Sequence, residues 1–423
     1  MKLETGLSEA YTENLSETLF NNYRHARETS VIVGTDKKHV GKVSQAIDGI
    51  SKTGWYRVLR RPQWIWQGVD PIEMEATLAK IAASNNQRSD DMLLDTVVGY
   101  RPGNWIYEWS TVAMSYQKKA QLCYEAGEKK RAAELWMKAS THFSIAAYPH
   151  LKGDSLAAQA EILAKQAFTL ATENLPTKVK TIEFTHQGKP VKGMLYLPHT
   201  VSPLPVVIIS GGLETLQTEL WQVFTDYFAE QDVALLTLDM PSVGYCSDHQ
   251  LSQDSSCLHQ AMLQHLRKVP WVDHNRVGFL GLRFGGNAAV RMAFVEPDRV
   301  KACVSLGGIV HSVLNDQKKL SAVPSMHLDM LASRLGRRLV TGTLLTSLRA
   351  LSLKNQGLLA GRRTQVPVLA ISLKNDPVCP ESDNRLIATY SQGGKAITLP
   401  NKPLHDGYHS AMQETVQWFA KHL

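Results

Sequence analysis

The chain has few cysteines and no long apolar run, and each absence removes a class of protein. Five cysteines are scattered over 423 residues without a Cys-x-x-Cys pair. This usage disfavours a disulfide framework and is typical of reduced thiols in a cytoplasm. No apolar stretch approaches the ~20 residues that a membrane-spanning helix needs. The polar residues 1–22 do not resemble a signal peptide. We therefore expect a cytoplasmic protein with no membrane partner.

Motifs that hold metals, nucleotides or nucleic acids are also missing. The histidines near the expected site lack metal-ligand spacing; they are His311, His327, His405 and His409. The stretch Gly281–Gly286 does not fit the Gly-x-Gly-x-x-Gly dinucleotide fingerprint. No basic run is interleaved with aromatic residues as in nucleic-acid-binding segments. We therefore expect no metal, no cofactor and no nucleic-acid partner.

Positive charge is concentrated in one segment, residues 311–363. The formal net charge of the chain is +7. Against two acids, this segment has nine basic residues, namely Lys318, Lys319, Arg334, Arg337, Arg338, Arg349, Lys354, Arg362 and Arg363. Such a patch attracts anions or an acidic partner protein. A solvated helical face has the same composition, and the sequence favours neither interpretation.

Residues 1–176 have the pattern of an all-helical N-terminal domain. Asp70–Glu73 is a helix start, with an aspartate cap, a first-turn proline and a glutamate three residues after the cap. Three further helical stretches follow, from Trp105 to Gly127, from Ala132 to Pro149 and from Ser155 to Leu170. Six of the nine tryptophans lie in this domain, and packing between helices explains them better than a binding site does. We expect a scaffold and a docking surface here.

Residues 177–423 have the alternating pattern of an α/β domain. Pro176 breaks the last helix, and a β-hairpin follows around Gln187–Pro190. Six short apolar runs then alternate with helical stretches, over residues 205–210, 233–239, 276–281, 300–306, 367–373 and 395–399. This alternation indicates a mostly parallel sheet with helices on both faces. The basic segment 311–363 is inserted between two of these strands. In this architecture, a lid is inserted at that position.

The most informative motif is Gly281–Gly285, which reads Gly-Leu-Arg-Phe-Gly. An apolar run precedes it and a helix-like stretch follows, which is the strand–turn–helix context of the nucleophile elbow Gly-x-Ser-x-Gly. The pattern therefore predicts an α/β-hydrolase fold. Arg283 stands where a serine hydrolase has its nucleophile, and a guanidinium, which stays protonated, cannot be one. Arg283 could form a salt bridge or hold a substrate carboxylate.

Further site candidates follow the other strands, because ligands bind at the carboxyl ends of parallel strands. Gly211 and Gly212 could present N–H groups to an oxyanion together with Phe284 after the elbow. Asp376 stands where a triad acid is expected, and His405 follows the last strand. The order elbow, acid, histidine matches that of α/β-hydrolases. His409 is the alternative histidine, and Asp376 could also be a turn residue before proline.

The chain resembles the FrsA family of esterases, which are named for a fermentation/respiration switch. The matching stretches run nearly end to end and are Asn14–Phe20, Trp64–Pro71, Gly103–Trp109, Ala147–Lys152, Asp239–Gly244, Pro270–His274, Arg283–Gly285, Leu331–Gly336 and Asn375–Pro377. The resemblance implies carboxylic-ester hydrolysis. It also implies association with the glucose-specific IIA protein of the sugar phosphotransferase system. The arginine in the elbow resembles the family too.

Three functions are compatible with these residues. In the first, an Asp376–His405 dyad activates water for ester hydrolysis, backbone N–H groups stabilise the oxyanion, and Arg283 holds an anionic substrate group. In the second, the scaffold is a regulatory binding protein that takes a small carboxylate at Arg283 and docks an acidic protein. The third is non-hydrolytic chemistry on a small anionic acid. We favour the hydrolase.

Overall fold

The structure is a computed structural model that describes residues 44–46, 49–336, 341–400 and 404–423. The helical part contains α1 (Arg61–Trp66), α2 (Pro71–Ala82), α3 (Trp105–Glu125), α4 (Lys129–Ala147) and α5 (Ser155–Asn174). All four predicted helical stretches are present. A short antiparallel pair, β1 (Ser44–Ala46) and β2 (Gly49–Ser51), precedes them. The sequence pattern predicted only helices in this region.

The helices begin where the sequence places their caps. The Asp70 side chain accepts hydrogen bonds from the backbone N–H groups of Ile72 and Glu73, and so satisfies two donors that the first turn of α2 leaves open. Asn104 and Asp154 cap α3 and α5 in the same way. Because these caps are local, sequence alone was enough to find the first of them.

The second part is built on one eight-stranded sheet. Its strands are β3 (Lys178–His186), β4 (Lys189–Leu197), β5 (Leu204–Ser210), β6 (Ala234–Leu238), β7 (Val272–Leu282), β8 (Val300–Leu306), β9 (Val368–Leu373) and β10 (Lys395–Leu399). Their order is β10-β9-β8-β7-β5-β6-β4-β3. Strand β4 pairs antiparallel with both β3 and β6, and all other neighbours pair parallel. The predicted hairpin, the six predicted strands and the mostly parallel sheet are confirmed.

Helices cover both faces of this sheet, so the central strands are buried on each side. Every residue of β5, β6 and β9 is buried, which explains their continuous apolar sequences. The helices are α6 (Cys257–His265), α7 (Gly285–Val295), α8 (Ser325–Leu335), α9 (Thr341–Ala350), α10 (Glu381–Thr389) and α11 (Leu404–His422). Shorter helical turns lie at Gln217–Leu220, Trp221–Val223, Phe224–Phe228, Gly244–Cys246, Leu266–Lys268, Ser312–Asn315 and Gln317–Leu320.

The helical part and the sheet share buried contacts. Trp136 and Phe168 of the helices belong to the same apolar cluster as Tyr196 and Val207 of the sheet. Helix α8 of the inserted segment also joins the two, because its Met326 packs into the cluster of the helical part. Within the described ranges, no helix is both long and apolar enough to cross a membrane.

Candidate active site

The motif Gly281–Gly285 forms a sharp turn from strand to helix. Strand β7 ends at Leu282 and α7 begins at Gly285, and Arg283 between them has a φ of 53°. Few non-glycine residues adopt this left-handed conformation outside functional or strained turns. A methyl group on Gly285 would overlap the backbone carbonyl of Ser210, and one on Gly281 would overlap the backbone of Gly285. The glycines are therefore required by close packing, as the motif predicts.

The Arg283 side chain is buried and forms an ion pair with Asp376. Its Nη1 donates to Asp376 Oδ2 over 2.8 Å, and only 5% of the residue is exposed. The structure thus brings together the elbow residue and the predicted acid, which come from the ends of β7 and β9. Of the two roles expected for Arg283, the salt bridge is the one observed.

Asp376 is held by several donors. It follows β9 at a turn where Asn375 has a φ of 61°. Its Oδ1 accepts from the N–H groups of Val378 (2.8 Å) and Cys379 (3.1 Å), while Oδ2 accepts from Arg283. These three hydrogen bonds fix the buried Asp376 carboxylate in position.

Gly211 and Gly212 form the loop after β5, opposite Phe284. A methyl group on Gly211 would press on Thr215, and one on Gly212 would overlap the Glu214 carboxylate. Phe284 caps the N-terminus of α7, where the first N–H groups have no partner within the helix. The predicted oxyanion residues thus lie on two neighbouring strand ends, since β5 and β7 pair directly.

Two buried arginines hold this loop in place, and sequence reasoning missed the contribution of both. Arg60 Nη2 lies 2.5 Å from Glu214 Oε1 and its Nη1 donates to Thr215 Oγ1 over 3.2 Å. Arg334 Nε donates to the Leu213 carbonyl over 3.0 Å. Arg60 comes from the helical part and Arg334 from α8. No local motif indicated that either arginine holds this loop, because each contacts residues more than 100 positions away in the sequence.

A pocket opens beside Arg283, with about 810 Å³ of atom-free space that includes open solvent. Its described lining residues are Arg60, Pro62, Gln63, Trp66, Gly212, Thr215, Glu219, Leu220, Tyr227, Leu282, Arg283, Leu306, Tyr408 and His409. The helical part therefore forms one wall, which differs from the expectation of a scaffold and docking surface alone. Trp64, Trp105 and Trp109 are core residues as expected, whereas Trp66 faces the pocket.

A smaller cavity of about 380 Å³ lies beneath α8 and also borders Arg283. Phe284, Met330 and Val378 are among its apolar lining residues. Arg283 thus lines two pockets. The helical part forms one wall of the larger pocket, and the smaller pocket lies under the inserted segment.

Both candidate histidines belong to α11, which begins at Leu404, shortly after the last strand. His409 lines the larger pocket, with its Nδ1 3.1 Å from Tyr227 Oη and its Nε2 2.9 Å from Gln413 Nε2. The side chain of His405 lies outside the described part of the structure. The geometry therefore places His409 at the pocket, and the choice of His405 stays a prediction.

A buried charge network connects the helical part with the pocket wall. His150 lies between two carboxylates, with Nδ1 3.6 Å from Glu161 and Nε2 3.5 Å from Glu219. Burial opposes its positive charge, but the negative charges of both glutamates, at ion-pair distance from the ring, together raise the pKa of His150. Burial likewise opposes the Glu161 anion, yet His150 and Lys165 lower its pKa to about 2. Glu219 is itself a pocket residue.

The basic segment 311–363 is only partly a surface patch. Arg334 is buried, and besides Leu213 it contacts the carbonyl of Ser242 over 2.9 Å. Arg337 and Arg338 lie outside the described residues. The remaining basic side chains are exposed, namely Lys318, Lys319, Arg349, Lys354, Arg362 and Arg363. The described part of the chain contains no group of three or more His, Cys, Asp or Glu side chains that could hold a metal ion.

These features fit a known family. The model of the FrsA-like family, described as "Esterase FrsA-like", matches residues 10–423. The chain belongs to the FrsA-like family. "Esterase FrsA" of Photobacterium profundum is 53% identical over 99% of this chain and 100% of that protein. "Esterase FrsA" of Vibrio cholerae serotype O1 is 48% identical over 99% of this chain and 100% of that protein.

Solved structures show the fold of this FrsA-like chain. The 2,6-dihydroxy-pseudo-oxynicotine hydrolase is similar with a TM-score of 0.69 at 20% identity, over 86% of this chain and 95% of that one. AbyA5 is similar with a TM-score of 0.64 at 20% identity, over 83% and 95%. The predicted α/β-hydrolase fold is confirmed, and this FrsA-like chain is an esterase-like member of it.

Proposed function

We propose that the chain hydrolyses carboxylic esters in the pocket beside Arg283. The observation that carries the proposal is the elbow turn, whose Arg283 lines a pocket together with Gly212 of the oxyanion loop. The names of the FrsA relatives support the same chemistry. No covalent intermediate forms at the elbow, because Arg283 is not a nucleophile.

Water is the attacking group in this proposal. A histidine of α11 removes its proton, and we assign this role to His405, with His409 as the alternative because it lines the pocket. The N–H groups of Gly211, Gly212 and Phe284 stabilise the negative oxygen that forms on the ester carbonyl. The Arg283 cation adds positive charge beside them.

Asp376 has a supporting role here. Its oxygens already accept hydrogen bonds from Arg283 and two backbone N–H groups, so it anchors the guanidinium. We propose that it fixes the guanidinium and, if His405 is the base, orients that imidazole as a dyad partner. Without a nucleophile, the expected acceleration is roughly 10³–10⁴-fold over water, as in hydrolases stripped of their triad.

The test is hydrolysis of p-nitrophenyl acetate and butyrate by the purified protein and by four variants. The variants are Asp376→Asn, Arg283→Ser, His405→Ala and His409→Ala, each checked for folding by circular dichroism. Loss of at least about tenfold in kcat/KM in one histidine variant identifies the base. If the wild type equals the buffer blank, or if all variants match the wild type, ester hydrolysis at this site is refuted.

The second candidate is a weakly catalytic or non-catalytic regulatory protein. The arginine at the nucleophile position favours it, because the buried Arg283–Asp376 pair resembles a structural contact. In this proposal the chain docks the glucose-specific IIA protein through a surface such as the exposed basic residues of the inserted segment. Calorimetric titration with purified IIA protein, against the Lys318→Glu/Lys319→Glu variant, tests it. An unchanged affinity would exclude this surface, and no binding would exclude this partner.

A further inference from the structure

Aromatic side chains from three different elements meet at the pocket. Trp66 of α1 and Tyr408 of α11 lie with ring centroids 5.4 Å apart, and Tyr227 is a third wall residue. The polar atoms of two of them have protein partners: Trp66 Nε1 donates to Asp226 Oδ2 over 2.7 Å, and Tyr227 Oη is hydrogen-bonded to His409 Nδ1. The ring surfaces therefore remain to contact a ligand, alongside Leu220, Leu282 and Leu306.

Each arginine of the described lining has a carboxylate partner. Arg283 is paired with Asp376 at 2.8 Å, and Arg60 with Glu214 at 2.5 Å. Both pairs are almost fully buried, with side-chain exposures of 6% and 0% in the first and 1% and 3% in the second. A ligand anion would therefore have to share cations that are already neutralised.

The acidic residue of the lining is neutralised as well. Glu219 accepts a hydrogen bond from Ser144 and lies 3.5 Å from His150, which is buried behind it. The described lining residues with fixed charge thus occur only in ion pairs. Because moving a charged ligand group out of water is costly without an uncompensated partner, such a pocket selects against ligand charge of either sign.

We propose that the pocket takes an uncharged ester that carries an aromatic ring. The ring lies against Trp66 and Tyr408, and the ester carbonyl lies beside Gly212 and Arg283 at the pocket floor. This inference rests on the proposed function for the ester group, and on the lining alone for the ring and the lack of charge. It replaces the expectation that Arg283 holds a substrate carboxylate.

Trp66 is then a specificity-determining residue contributed by the helical part. Its rotation is restricted by the hydrogen bond to Asp226 and by the contact with Tyr408, so a ligand ring finds a prearranged surface. Removal of this side chain should weaken binding of aromatic substrates far more than binding of small esters without a ring.

The kinetic test compares three ethyl esters by acid release in a pH-stat. These are ethyl phenylacetate, the non-aromatic ethyl cyclohexylacetate and the anionic ethyl 4-carboxyphenylacetate. We expect kcat/KM for ethyl phenylacetate to exceed that of the cyclohexyl ester about fivefold, and that of the anionic ester by at least about tenfold. Equal values for the three esters, or a preference for the anion, would overturn the inference.

Variants assign the preference to the aromatic wall. Trp66→Ala should raise KM for ethyl phenylacetate about tenfold with little change in kcat, and Trp66→Phe should restore most of the loss. Turnover of ethyl acetate should fall much less than turnover of ethyl phenylacetate in both variants. Trp55→Ala is the matched control, because Trp55 is half-buried in the helical part but is absent from the described lining. An equal loss in Trp55→Ala would contradict the assignment.

A binding measurement separates this inference from the proposed function. The ketones 1-phenylpentan-2-one, 1-cyclohexylpentan-2-one and 4-(2-oxopentyl)benzoate have the shapes of the three esters but cannot be hydrolysed. Calorimetric titration should give the tightest binding for the phenyl ketone and weaker binding for it in Trp66→Ala. If no ester is turned over but the ketones bind in this order, only the catalytic proposal fails. If the benzoate binds tightest, or the phenyl ketone does not bind, the inference fails.

Discussion

At the scale of single residues, the Arg283–Asp376 pair replaces a reactive serine with a buried cation and its counterion. Each partner depends on the other, since the side chains are 6% and 0% exposed. A charge left alone at this depth loses its solvation without compensation. The interaction energy of the pair can therefore be measured by removing one partner or both.

We expect Asp376→Ala to lower the free energy of unfolding by roughly 3–5 kcal/mol, because it leaves the Arg283 charge buried without its carboxylate. The double variant Arg283→Met/Asp376→Asn should be less destabilised than the sum of its single variants, because it removes both charges. Urea unfolding of the wild type, Arg283→Met, Asp376→Asn and the double variant measures the coupling, and Asp376→Ala is unfolded beside them. Additive losses would show that the pair contributes no interaction of its own.

The sequence predicted several site residues because their signals are local. Arg283 and its glycines follow from a five-residue motif, and Asp376 follows from its place after a strand. Their ion pair did not follow, because strand order determines that β7 and β9 end near each other. Arg60 gave no signal at all, since it lies 154 residues from its partner Glu214.

At the scale of elements, the elbow depends on the absence of side chains. Gly285→Ala should destabilise the protein by roughly 3 kcal/mol, because the added methyl group meets the backbone of Ser210 and Gly211. Gly361→Ala is the matched control: its methyl group would lie 3.5 Å from the Gly357 oxygen, an ordinary contact. Thermal unfolding compares the two. A similar melting temperature for both variants would contradict the tight packing inferred at the elbow.

Helix α8 is attached through Arg334, whose guanidinium contacts the carbonyls of Leu213 and Ser242. Arg334→Ala should cost roughly 3 kcal/mol of stability, because it leaves buried acceptors without a charged donor. Esterase activity should fall as well if Gly211 and Gly212 form the oxyanion site. The surface variant Arg349→Ala should match the wild type in both assays. Equal behaviour of the two variants would show that Arg334 does not hold the loop.

At the scale of the whole molecule, the helical part completes the pocket that the sheet begins. Trp66 and Arg60 contribute to its wall, and His150 supports Glu219 from behind. The division into residues 1–176, residues 177–423 and a lid-like insertion 311–363 stays a prediction. The shared contacts nevertheless imply that neither part forms this pocket without the other.

The His150 network should make stability depend on pH. Burial opposes the imidazolium, but Glu161 and Glu219 raise the pKa of His150 above 6.5 in the folded protein. The stabilisation is therefore complete below pH 6.5 and is lost as pH rises through the folded pKa. Between pH 6.5 and 9, the melting temperature of the wild type should fall more steeply than that of His150→Gln.

The matched control for this measurement is His274→Gln, because His274 is exposed. It should retain the slope of the wild type. A second check lies at acid pH, where the pKa of Glu161, lowered to about 2, predicts stability that is lost as pH falls from about 4.5 toward 2. Parallel slopes for the wild type and His150→Gln in the alkaline range would show that the network is not charged as inferred.

The sequence by itself determined most of the secondary structure, the mostly parallel sheet and the elbow. These depend on caps, apolar periodicity and glycines that act within a few residues, as in α2, β5 and Gly281–Gly285. Only the tertiary structure decided that Arg283 pairs with Asp376, that Arg334 is buried and that Trp66 faces the pocket. These outcomes depend on which distant segments become neighbours. The sequence shows which residues carry a charge, but it does not show whether that charge is exposed or lies in a buried ion pair.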